Sequence, residues 1–144
     1  MSYSTVEDLK ELIPEEMLIQ LTDDESTGSI ALSRVTEAIA QADAEINSYC
    51  ASKYAVPFLN VPETVKKCSV DLAIYNLYSR RVERMPETRT DRYRNAVRLL
   101  EGIARGTVSI GVDPEPVASG GGDRIESSKA EDDRTVTAAK IGGY

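Results

Sequence analysis

The chain has 144 residues, 41% of them apolar, with a net charge of −7 and no histidine. That length supports one modest core, and a second domain would leave both too small. The missing histidine removes Ser-His and Cys-His mechanisms together with the commonest transition-metal ligand.

In chain order, Ser4-x-x-Glu7 has the capping-box pattern ahead of Val6, Leu9, Leu12 and Ile13, which predicts a short first helix ended by Pro14. Pro14 can also open a second helix, whose acidic start Glu15-Glu16 suits the positive N-terminal end and whose Met17, Leu18 and Leu21 supply apolar contacts. A polar loop follows from Thr22 to Ser29. Asp23, Glu25, Thr27 and Gly28 fall on calcium-loop positions there, but the twelfth position is Arg34 where a bidentate glutamate is needed. A helix-to-helix loop is the better reading.

A long third helix is predicted from about Ser33 to Lys53, with Ala42, Ile46, Tyr49 and Cys50 on one face. The apolar, proline-bounded elbow Ala55-Val-Pro-Phe-Leu-Asn-Val61 then leads to a fourth helix from Pro62 to Arg84, closed by Met85-Pro86. Val65, Cys68, Leu72, Tyr75 and Tyr78 share a face of this helix, and Val70, Ala73, Ile74 and Leu77 form a second apolar set, so it should be central and antiparallel to the third. Cys50 and Cys68 fall on the inward faces and read as buried reduced thiols. A fifth helix from Glu87 carries Tyr93, Val97, Leu100 and Ile103 on one side, with Gly106 placed to close it in a left-handed conformation. The alternation Thr107-Val-Ser-Ile-Gly-Val112 predicts a short strand.

The fold class predicted is mainly α: a compact bundle of four to five helices over residues 1–112, a short strand after the last helix, and an extended Gly-rich acidic C-terminal arm over residues 113–144. Gly120-Gly121-Gly122 lacks the Lys-Ser/Thr of a phosphate-binding loop and reads as a linker. No apolar run spans a bilayer, and Glu7, Asp8 and Glu11 stand where a signal peptide needs basic residues, so the chain should be soluble and unexported. No catalytic residue, cofactor site or metal ligand set is predicted, and the chain is not expected to be an enzyme.

Charge is distributed unevenly. Residues 1–60 hold 11 acids and 3 bases, residues 61–112 hold 6 acids and 10 bases, and residues 113–144 hold 7 acids and 4 bases. Oppositely charged regions can attract within one fold or between neighbouring copies. The candidate sites are therefore surfaces. Arg94, Arg98 and Arg105 recur along the fifth helix away from its apolar face, as a solvated stripe or a contact to the acidic half of another copy. Phe58 and Leu59 in the elbow either fold under the domain or plug a neighbour. Val136, Ile141 and Tyr144 are sparse anchors in the arm, which is expected either to be held by neighbours or to rest on its own domain.

The run Asp43 through Tyr54, then Pro57, Val61-Pro62 and Asp71-Leu72-Ala73 to Tyr78-Ser79-Arg80-Arg81, resembles the Mu-like bacteriophage head-tail connector family. The resemblance extends from Tyr3-x-x-x-Val6-Glu7-Asp8-Leu9 to the Gly106 turn, and the acidic extension after Val112 departs from it. It implies a structural virion protein, assembled in the host cytoplasm into a homo-oligomeric ring of about twelve copies in the phage neck. Such a ring joins the portal protein to a tail-side neck or tail terminator protein and passes DNA without reading its sequence. The alternative is a small helical nucleic-acid-binding or regulatory adaptor using Arg80-Arg81-Arg84 and Arg94-Arg98-Arg105, against which stands a pI of 4.7.

Overall fold

The computed structural model describes residues 1–80 and 84–114. These form five helices in the order α1 (Val6–Leu12), α2 (Glu15–Thr22), α3 (Leu32–Cys50), α4 (Glu63–Ser79) and α5 (Glu87–Arg105). No helix among the described residues is long and apolar enough to cross a membrane. The arm expected from residue 113, with Val136, Ile141 and Tyr144, lies almost wholly outside the described residues.

Helix α4 is the axis of the bundle. Ten of its residues are buried, from Val65 to Tyr78, because its two apolar sets together wrap most of its circumference. Its partners pack by direction: Asp43 meets Ser69 while the earlier Ala38 meets the later Asn76, so α3 and α4 run antiparallel. Ser52, just past α3, reaches the carbonyl of Ala104 at the end of α5, so the end of α3 and the end of α5 share the elbow end of the bundle. Leu9, Leu18, Ile46, Leu72, Ile74, Leu77, Leu100 and Ile103 are the large, fully enclosed side chains at the centre. Cys50 and Cys68 are buried and unbridged, and burial pushes each thiol up to about 11.

Three boundaries differ from expectation. The capping box forms one residue later: the Thr5 hydroxyl accepts from the Asp8 N–H at 3.3 Å, and the Asp8 carboxylate accepts from the Thr5 N–H at 2.8 Å. Ser4 is buried instead, its hydroxyl 2.7 Å from that of Ser69 in α4. Helix α3 ends at Cys50 and residues 51–53 form a turn. Helix α4 ends at Ser79; Arg80 caps it with helical backbone angles, and its side chain donates to Leu21 O at 2.8 Å and to the Asp24 carboxylate at 2.8 Å.

The predicted strand at Thr107–Val112 is absent. A strand needs a neighbour to complete its ladder, and none lies beside it among the described residues. The segment instead finishes α5. Gly106 is left-handed at φ 80°, and the N–H groups of Thr107 and Val108 both donate to Gly102 O, at 2.9 and 3.2 Å. Val108 then packs so close to Gly102 that a Cβ there would sit 2.7 Å from its methyl group. Ile110 is buried at 7% exposure.

The N-terminus is latched by a buried carboxylate. Asp43 accepts from the Tyr3 N–H at 3.0 Å and from the Ser69 hydroxyl at 2.7 Å. The Tyr3 hydroxyl donates to Asn47 and accepts from the Phe58 N–H at 3.0 Å. Burial pushes the Asp43 carboxyl above its ordinary value, and the bonds from Ser69 and Tyr3 only partly offset this. The native state therefore holds this proton more tightly than the unfolded chain does. The stability that follows is complete below the unfolded value and is lost as pH rises through the folded one. Relative to wild type, Asp43→Asn should thus gain stability as pH rises from about 3 to about 6. Carboxylates common to both proteins, such as Asp8, cancel in the difference. Urea midpoints of the two proteins that keep a constant separation across that range would contradict the assignment.

Candidate interaction surfaces

Helix α5 divides its basic residues between two jobs. Arg92 donates through Nε to the buried Asp71 carboxylate at 2.9 Å, and Arg89 donates to Leu12 O at 3.0 Å, so both tie α5 to the bundle. Tyr93 stacks on Tyr75, with ring centroids 3.9 Å apart, and burial beside the Glu45 carboxylate raises its hydroxyl above the ordinary value. Arg94, Arg98 and Arg105 project from the other side. Arg94 lies 4.0 Å from Asp91 and Arg105 lies 3.8 Å from Glu101, both on α5 itself, while the two arginine side chains remain 65% and 71% exposed. Pairs this long and this exposed contribute little. Arg98 is exposed and has no ion pair among the described residues.

A group of five acidic residues lies elsewhere. Glu15 and Glu16 open α2, and Asp23, Asp24 and Glu25 follow it, at the end of the bundle where α3 begins. Here Asp23 organises the loop. Its carboxylate accepts from the N–H groups of Thr27 at 2.9 Å and Gly28 at 2.7 Å, and these bonds hold it below the usual carboxylate range. Arg34 lies 3.2 Å from Asp24. The cation at the twelfth loop position thus pairs with an acid of the loop, and no group of three or more His, Cys, Asp or Glu among the described residues is arranged to hold a metal.

The elbow separates its two candidates. Phe58 is 5% exposed, tilted against Tyr3 and Tyr54 with centroids 5.8 and 6.0 Å away, and belongs to the core. Leu59 is 86% exposed. Beside it lies an open groove of about 540 Å³ shared with Val112 and Asp113. A smaller cleft of about 220 Å³, between α4 and α5, has the paired Asp71 and Arg92 in its lining. Of the arginines offered for nucleic acid, Arg80 is committed to Leu21 and Asp24, Arg84 is exposed, and Arg81 lies outside the described residues.

Sequence reasoning missed the latch. Asp43 sits four residues after Ile39 and three before Ile46, so helical spacing already places it on the apolar face. Its partners Tyr3 and Ser69, 40 and 26 residues away, carry no mark in the sequence.

Residues 3–127 match the family described as Bacteriophage Mu, Gp36. The Mu-like prophage FluMu protein gp36 of Haemophilus influenzae is 32% identical over 102 residues, which cover 69% of this chain and 70% of that protein. Gene product J of Escherichia phage Mu is 30% identical over 146 aligned residues, covering 100% of this chain and 99% of its own length.

Proposed function

We propose, since the chain belongs to the bacteriophage Mu Gp36 family, that it is a structural virion protein of the phage neck. Copies form a ring, of about twelve subunits as the resemblance to head-tail connectors implies, between the portal and a tail-side neck or terminator protein. DNA passes through the ring without being read, and the role requires no catalysis. The observation that carries this reading is the uneven charge on one small domain: an exposed arginine stripe on α5, with Arg98 unpaired among the described residues, against an acid-rich end formed by α2 and its loop, where Arg34 and Arg80 offset part of the charge. A closed ring is built from heterologous contacts, in which two different patches of each copy meet, and opposite charge on the two patches orients them.

A nucleic-acid adaptor fits less well. Its best cluster has lost Arg80 to internal bonds, and a pI of 4.7 opposes phosphate. Loss of the protein should be specific in its consequence. Infected cells lacking it should accumulate DNA-filled heads and separate finished tails, and supplying it in extracts should join the two. Joined particles made in its absence would exclude the neck role.

A further inference from the structure

Two exposed apolar features are used neither by the core nor by the arginine stripe, and they lie at opposite ends of the molecule. At the elbow end, Tyr54 and Phe58 floor a groove of about 540 Å³ that Pro57, Leu59 and Val112 wall and Asp113 borders. Leu59 is 86% exposed and Val112 41%. At the other end Leu32, the first residue of α3, is 60% exposed. The 19 residues of α3 hold these ends roughly 28 Å apart at 1.5 Å per residue, so one copy cannot seat its own Leu32 in its own groove.

The charges beside the two features are opposite. Exposed Lys53 and Arg105 stand at the groove end, where the Lys53 side chain lies 3.5 Å from a Cβ placed on Gly106. Leu32 follows the loop that carries Asp23, Asp24 and Glu25, where Arg34 and Arg80 both pair with Asp24, so that three acids outnumber two bases and the excess there is negative. We infer that the groove receives Leu32 of a second copy of this chain, with the neighbour's acidic loop set against Lys53 and Arg105. Burial of two exposed leucines supplies the attraction, and the charges fix which end meets which. The contact joins unlike patches, so each copy offers a free groove and a free Leu32 until a ring closes. The inference rests on the ring reading and names one of its contacts.

Cross-linking of full-length protein tests it, because Cys50 and Cys68 are buried and leave a quiet thiol background. Under mild oxidation a mixture of Leu32→Cys and Leu59→Cys should form a disulfide-linked dimer, while neither variant alone should. Leu59→Asp, at a side chain already in solvent, should keep the wild-type melting temperature and weaken self-association at least tenfold in sedimentation. A variant that links to itself would mean like patches meet, and would overturn the inference. Failure of the mixture to link while the protein sediments as an oligomer would overturn the groove contact and leave the ring. Monomers at every concentration, unlinked in the mixture, would overturn both.

Discussion

Arg98→Glu should abolish assembly while leaving the domain folded. Arg98 projects from α5 with no ion pair among the described residues, so its reversal removes no internal contact. If the stripe is only solvated, the change is worth about 0–1 kcal/mol and little follows. If the stripe faces a neighbour's acids, the new glutamate meets like charge at every interface of the ring, at several kcal/mol each. At about 1.4 kcal/mol per factor of ten, that weakens each contact a hundredfold or more. Helicity and melting temperature should be those of wild type, whereas sedimentation should show monomer and infectivity should be lost. Normal oligomers from this variant would return the stripe to ordinary solvated surface.

Leu72→Ala should cost about 2–5 kcal/mol of folding free energy, through lost burial and the cavity left behind. Leu72 is fully enclosed on the helix whose neighbours surround it, and α3 and α5 have little freedom to close the gap because Asp43 to Ser69 and Arg92 to Asp71 pin both to α4. The urea midpoint should fall with the denaturant slope unchanged. A midpoint equal to that of wild type would mean that α4 is not the axis of the bundle.

The bundle was legible because its signals are local and agree with one another. Two interleaved apolar sets on Val65 to Tyr78 predict an enclosed helix, and ten buried residues are found there. Pro14, Pro62 and Pro86 mark helix starts, and Gly106 closes α5 as its position suggested. Features decided at a distance were not legible. Ser4 and Thr5 both head an acceptable capping box, and the choice falls to Thr5 because Ser69, 65 residues on, takes the Ser4 hydroxyl. The alternation in Thr107–Val112 is real, yet it produces no strand without a partner; the segment instead folds Val108 back against Gly102 of α5 and buries Ile110. Arg80 looked like a phosphate ligand because nothing near it in sequence reveals Leu21 O. For the surfaces, helical spacing put Arg94, Arg98 and Arg105 on one side, and Leu59 emerged as the exposed half of the elbow only once Phe58 had packed between Tyr3 and Tyr54.

The neck-ring role is tested most directly by electron microscopy of the purified chain mixed with the portal of its own phage. Closed rings seated on one face of the portal, with density for one copy of this domain per portal subunit, are the expected result. Portals that remain bare while the chain stays monomeric would contradict it.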